Sequence, residues 1–500
     1  MQIVSCPSCG AEVQFKSHAA VLAVCAYCHA SLLKDADSVK DLGKMSAVLE
    51  DYTRLQIGSA GVAGGRHFTL VGRIQLRYEQ GTWNEWYVLF DDASTAWLGD
   101  SSGLYTLTRE RDVDGDGNGD GNGDGALPAF EQLKPGERYR IAGELFTASE
   151  VRSGECIAGQ GELPFRVGEG WRIRVADLRR GAAFLTLDYT DGTVPAVYSG
   201  SAVTLDELKF QLLRDDEQIK ASAGKYRGKL DALDCPSCGS AIKYLPGLAT
   251  KLVCPACAAQ LDAAGPQAQV LAAGEKVDSV RTTLPLGACA MIDGSSHTVI
   301  GAMIRADEEG TQWTEYLLYS TRAHFTWLVE TDDGWSRANV MPAWPEWPSL
   351  SADSARVDAV DYHKLYDYDA TVVFAAGAFN WRVAAGDVVH VFEFEHGSVT
   401  LSAELTAAEL TWSRSTPVAY DQLKAWFGDA LRGGASAAAA AGGAKSTTPV
   451  KFLWWLFGLN LVPLMFNFDT TLWYMIMAVL AIYLPGKYFT RGDKGGETKP

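Results

Sequence analysis

The sequence predicts a mainly β fold: two tandem units, each a small four-cysteine ribbon joined to a small β barrel or sandwich, and then a C-terminal transmembrane helical hairpin. Three observations lead there. Cys6-Pro-Ser-Cys9 and Cys25-Ala-Tyr-Cys28 stand fifteen residues apart, and Cys235-Pro-Ser-Cys238 and Cys254-Pro-Ala-Cys257 reproduce that spacing 229 residues later. Between the cysteines and the end of each half, alternating apolar residues and turn signals recur about every eight to twelve residues, the pattern of a small all-β domain. The two most apolar runs, Phe452 to Phe468 and Leu472 to Pro485, come last.

Taken in order, residues 1–40 form ribbon one and 226–265 ribbon two. A C-x-x-C turn presents two sulfurs to one metal, and two such turns complete a four-thiolate tetrahedron, so Cys6, Cys9, Cys25 and Cys28 predict one structural zinc ion and Cys235, Cys238, Cys254 and Cys257 a second. Reduced thiolates at that density point to a reducing compartment. Met1 to Phe15 has neither a basic n-region nor an apolar run, so no secretory signal is expected ahead of the first pair. Cys156 and Cys289 read as small buried residues.

The β domains occupy residues 41–225 and 266–432. Strands are expected at Thr69–Leu76, Glu85–Phe90, Thr95–Leu98, Tyr139–Phe146, Trp171–Val175 and Phe184–Tyr189, and again at Val299–Ile304, Glu315–Tyr319, His324–Val329, Ala370–Ala375, Val388–Phe394 and Ser398–Ala403. So many short strands suit closure or sandwiching better than a flat sheet with open edges. Leu205 to Ala221 reads as a closing helix, opened by Thr204 with Asp206 and Glu207 in its first turn, and Pro417 to Arg432 as its counterpart. Residues 112–125 are an Asp/Gly insertion peculiar to the first half. Its Asp112 to Asp120 stretch resembles the start of a calcium loop, but Gly123 stands where such a loop places a bidentate Glu, so a hydrated insert is expected.

Residues 433–450 read as a Gly/Ala/Ser tether, 451–486 as the membrane hairpin and 487–500 as a cytoplasmic tail. The apolar runs together exceed one crossing of a ~30 Å core, and Asp469 between them is costly at mid-depth, so two short crossings are expected. Lys445 and Lys451 flank one end and Lys487, Arg491 and Lys494 the other, which puts both termini of the hairpin on the cytoplasmic side of the inner membrane.

The halves are repeats beyond their cysteines. His67 with Val71-Gly72 is echoed by His297 with Ile300-Gly301, Trp83-Asn84-Glu85-Trp86-Tyr87 by Trp313-Thr314-Glu315-Tyr316, and Trp97-Leu98 by Trp327-Leu328. With the ribbons, these motifs resemble an uncharacterised bacterial family, the domain of unknown function numbered forty-one seventy-eight, present here as two copies. The resemblance implies a β domain with an attached ribbon, often in membrane-associated proteins, and brings no established activity. Gln312 and Tyr316 are departures in the second copy.

Charge restricts the partners. Forty-four basic against sixty-one acidic residues leave a net charge of −17, and Lys16 in ribbon one and Lys243 and Lys251 in ribbon two make no phosphate track, so nucleic acid is not an expected partner. No Walker loop, G-x-S-x-G elbow or H-E-x-x-H helix is present. The function expected is therefore binding: a membrane-anchored scaffold or adaptor that meets protein partners through aromatic edges of its β domains, with His67, Trp83, Glu85, Trp86, His297, Trp313, Glu315 and Tyr316 as the candidate surface. The alternative is an enzyme in which Glu85 or Glu315, beside an indole, works with a nearby His.

Overall fold

The computed structural model describes residues 2–432 apart from 18, 29, 36–37, 45–52, 80, 102, 113–126, 167–170, 216, 220–230, 245–250, 263–268 and 273–281. The Asp/Gly insertion beyond Asp112, the tether, the hairpin at 451–486 and the tail lie outside the described residues. Among the described residues no helix is long and apolar enough to cross a membrane.

In the first half, β1 (Arg66–Arg77), β2 (Thr82–Phe90), β3 (Thr95–Ser101) and β4 (Leu104–Glu110) make one antiparallel meander, and β5 (Glu144–Leu163), β6 (Arg172–Arg180), β7 (Ala183–Asp188) and β8 (Ala196–Val203) make another. β4 pairs with β8, and β5 pairs back onto β1, which closes an eight-stranded antiparallel barrel. Closure removes both open edges, the requirement that the strand count implied. The second half repeats it with β9 (Ser295–Ala306), β10 (Gln312–Ser320), β11 (His324–Thr331), β12 (Gly334–Val340), β13 (Val360–Phe379), β14 (Val388–His396), β15 (Val399–Leu405) and β16 (Leu410–Val418).

The seam between the two meanders depends on glycine. Where β5 crosses β1, Gly161 faces Gly72, and a Cβ on either would collide with a carbonyl oxygen of the other strand; Gly161 also has φ +72°. Gly377 and Gly301 do the same for the second barrel. Past this crossing each long strand leaves its barrel. Gly161–Leu163 pairs with Leu22–Val24 of ribbon one, and Gly377–Phe379 with Lys251–Val253 of ribbon two. Each ribbon is thus a continuation of its barrel's sheet.

Several expectations need correction. The helix at Leu205 to Ala221 is not continuous. Thr204 and Glu207 do form a reciprocal capping box, Thr204 N to Glu207 Oε2 at 2.7 Å and Glu207 N to Thr204 Oγ1 at 3.2 Å. The chain then turns through Lys209 and Leu212 at positive φ, because Gln211 pairs with the Ala60 backbone instead. The second closing helix is shorter than expected, Tyr420–Phe427, since Pro417 and Val418 belong to β16. Tyr139–Phe146 is a hairpin, Arg138–Ile141 against the start of β5, turning at Ala142 and Gly143. Cys156 is buried, but Cys289 is exposed: it alternates with the inward Ala290 and Ile292 on an edge strand.

The two barrels belong to one compact unit. Main-chain bonds join them: Val151 N to Ala408 O at 3.0 Å and Trp344 N to Gly181 O at 2.9 Å. Arg138 and Arg179 of the first barrel donate to the carbonyls of Pro348 and Pro342.

Candidate functional site: two four-cysteine centres and two barrel lumens

Each ribbon is built from two tight turns whose backbone presents the sulfurs. In the first, Cys6 N donates to Ala11 O and Gly10 N to Cys6 O, with Gly10 at φ +75°. Cys25 N to Ala30 O, Cys235 N to Ser240 O and Cys254 N to Ala259 O repeat the device. Cys6 and Cys28 sulfurs lie 3.6 Å apart and Cys9 and Cys25 3.7 Å; the other centre gives 3.8 Å for Cys235 and Cys257 and 3.7 Å for Cys238 and Cys254. All four sulfurs of each group fall within 4.8 Å of one another. A tetrahedral ion with bonds of ~2.3 Å to thiolate needs sulfurs about 3.8 Å apart. Both groups are therefore positioned to hold a metal ion. A buried carboxylate locks the first ribbon onto its barrel: Glu162 accepts from Lys16 N at 2.8 Å and Ser17 N at 2.7 Å. Ala378 replaces it in the second copy, so that clamp belongs to the first ribbon.

Strand alternation divides the Trp-x-Glu-aromatic motif. Trp83 and Glu85 point into the first lumen, where Trp83 Nε1 donates to Glu85 Oε1 at 3.1 Å. Trp86 points out and is fully buried under Leu55, Leu205 and Leu208, with the Arg73 guanidinium 4.7 Å from its ring. Likewise Trp313 Nε1 donates to Glu315 Oε1 at 2.8 Å, while Tyr316 is buried outside the barrel against Leu423 and Phe427 of the closing helix. Trp83, Trp86 and Tyr316 are core residues, which corrects the expectation that they form exposed aromatic edges.

The histidines do not join the carboxylates. Glu85 faces Ile74 across β1, and His67 lies seven residues back along that strand, exposed, roughly 20 Å away at ~3.3 Å per residue. Glu315 faces Met303, and His297 lies six residues back. His297 is buried, its Nδ1–H donating to Ser295 O at 3.0 Å, with Nε2 unpartnered, and burial lowers its pKa. Among the described residues neither Glu85 nor Glu315 pairs with an imidazole.

Sequence reading missed what does surround the glutamates. In the first barrel Arg152 of β5 binds Glu150 at 2.6 Å and Asp177 at 2.7 Å and lies 4.2 Å over the Trp83 ring; Thr186 Oγ1 donates to the other oxygen of Asp177 at 2.7 Å. Asp188 completes the group. Burial raises the pKa of Asp188, and it carries Glu85 up to about 7, opposed by the Trp83 hydrogen bond and assisted by the charges of Asp177 and Asp188. In the second barrel the matching register positions are Glu315, Glu393 and Glu404. There Tyr368 stands in place of Arg152, donating to Glu393 at 3.1 Å, and the guanidinium comes instead from Arg305 of β9, 2.9 Å from Glu404 and 3.5 Å from Glu315. Arg152 and Arg305 lie in segments with no motif, so only their pairing across strands reveals them.

The first lumen is hollow. It holds a cavity of about 160 Å³ lined by Trp83, Glu85, Gly99, Arg152, Asp177 and Asp188, with Met341 and Trp344 of the second half completing its wall. Gly99 faces Glu85 in register; the same position in the second barrel is Val329, facing Glu315.

No curated protein matches the chain, and no solved structure does. The sequence model described as Domain of unknown function (DUF4178) matches residues 56–205 and 285–419, the two segments that fold as the barrels, so the chain belongs to that family in two copies.

Proposed function

We propose that this is a zinc-stabilised, membrane-anchored binding protein: a scaffold or adaptor that presents two fused barrels to protein partners at the cytoplasmic face of a bacterial inner membrane. The observation that carries it is the fusion itself. Two barrels joined by main-chain bonds and by arginines capping the neighbour's carbonyls make one rigid platform, which is suited to holding partners in fixed relation. Two zinc ions, one per four-cysteine group, fit the sulfur spacing, and their role is structural because each ribbon extends a barrel strand. The apolar sequence of residues 451–486 supports the membrane hairpin.

The test is purification of the full chain from detergent-solubilised membranes. A stoichiometric companion that is retained by the intact tandem and lost when either barrel is deleted supports the adaptor; a full chain that elutes alone from cells grown under several conditions refutes it. One observation favours a second reading, acid–base chemistry in the first lumen: Glu85 lines a cavity with its pKa raised to about 7. On that reading Glu85→Gln abolishes turnover of a small substrate without unfolding the barrel.

A further inference from the structure

The lumens carry three register-matched carboxylates, Glu85, Asp177 and Asp188 in the first and Glu315, Glu393 and Glu404 in the second, but the guanidinium that binds into each set comes from a different place; the first lumen also holds Glu150, and Arg179, which donates to Pro342 O. In the second barrel Arg305 sits opposite Trp313 and reaches Glu315 and Glu404 together. The residue opposite Trp83 in the first barrel is Leu76. Here the guanidinium, Arg152, enters from β5 and is taken up by Glu150 and Asp177. Among the described residues no ion pair reaches Glu85 or Asp188, the counterparts of Glu315 and Glu404; Asp188 accepts from Thr190 N at 2.8 Å and Glu85 from Trp83. The cavity opens where the second copy places its own cation, and Gly99, with Val329 as its counterpart, leaves room for it.

We propose that the first lumen is a binding site for a small organic cation, an alkylguanidinium or alkylammonium, whose charged head lies between Glu85 and Asp188 as that of Arg305 lies between Glu315 and Glu404. The size fits: a cavity of ~150 Å³ accepts a benzene-sized molecule, and this one is about 160 Å³. The chemistry fits as well. Half-buried carboxylates in a barrel lumen lose part of their hydration and are costly unless paired, and an incoming cation supplies the missing partner. Trp97, Phe165 and Trp171, which line the same cavity and stack in series at 5.6 and 5.2 Å, offer apolar contact for a short alkyl tail. The second copy, already satisfied by Arg305, binds no such ligand. This inference goes beyond the adaptor reading and does not depend on it.

The experiment is calorimetric titration of the purified full chain with methylguanidinium and with propylammonium at pH 8, using N-methylurea as the uncharged isostere and calcium chloride as an inorganic cation. One saturable site per chain is expected for the organic cations. Glu85→Gln should weaken it at least tenfold, and Leu76→Arg, which supplies the second copy's guanidinium, should abolish it while keeping the melting temperature of the parent. Should Leu76→Arg fail to fold by circular dichroism, Gly99→Val, which fills the cavity, replaces it and should also abolish binding. The proposal is overturned by absence of saturable heat, by equal binding of N-methylurea, by preference for calcium at the same site, or by binding indifferent to Glu85→Gln. Loss of a protein companion in the membrane purification leaves this titration untouched, so the two readings fail separately.

Discussion

Replacing Glu85 by Gln should stabilise the protein, and only above mildly acidic pH. The folded lumen raises the Glu85 pKa from its ordinary 4.5 to about 7, chiefly through burial. A group whose folded pKa is raised holds its proton more tightly when folded, so stability is highest while both states are protonated and falls as pH rises from 4.5 to 7. At about 1.4 kcal/mol per pH unit that gap corresponds to about 3 kcal/mol, an upper bound because Glu85 is only half-buried by area and lumen water screens it. Gln keeps the acceptor for Trp83 Nε1 and never ionises, so the variant lacks this fall. The expected difference is near zero at pH 4.5 and grows to between 1 and about 3 kcal/mol in favour of Gln at pH 8. Two barrels and two ribbons need not unfold together, so the assay is native-state hydrogen exchange at the β2 amides, corrected for intrinsic rates, at pH 5 and 8. Parallel pH profiles for parent and variant, or a variant less stable at pH 8, would refute the reasoning.

Other outcomes follow from the same geometry. Arg305→Met leaves Glu315 buried without its cation and should cost about 3–5 kcal/mol at pH 8 in exchange at β10, with Arg305→Met/Glu315→Gln/Glu404→Gln recovering most of it. Chelation should expose the backbone at Gly161–Leu163 and Gly377–Phe379 to proteolysis, since apparent metal binding energies of ~10–16 kcal/mol are what hold ribbons of this size together; unchanged digestion after metal removal would count against a structural ion. Glu162→Ala should cost about 2–4 kcal/mol in the docking of ribbon one, about 1–3 kcal/mol for the buried Ser17 amide left without an acceptor and about 1 kcal/mol for the part-buried Lys16 amide, with no effect on ribbon two. Truncation after Arg432 should move the protein from the membrane pellet to the supernatant on fractionation; a truncated form still in the pellet would contradict the hairpin.

The local patterns settled a good deal. C-x-x-C spacing is a short-range geometric demand, so the eight sulfurs could be paired into two groups from the sequence, and period-two alternation placed most strands and put Trp83 and Glu85 on one face and Trp86 on the other. Strands without a strong apolar rhythm, Leu104–Glu110, Ala196–Val203, Gly334–Val340 and Leu410–Val418, were missed, because a barrel lumen lined with Thr, Ser and acidic side chains erases the alternation that marks a strand. The Leu205 stretch carries a genuine helix cap, yet the Ala60 backbone offered Gln211 a better set of hydrogen bonds, a competition decided about 150 residues away. Closure, the fusion of the two barrels and the meeting of Glu85 with Arg152, Asp177 and Asp188 depend on register between strands distant in sequence. Tertiary pairing alone fixes that register, and with it which carboxylates receive a cation from the chain and which are left to face an open cavity.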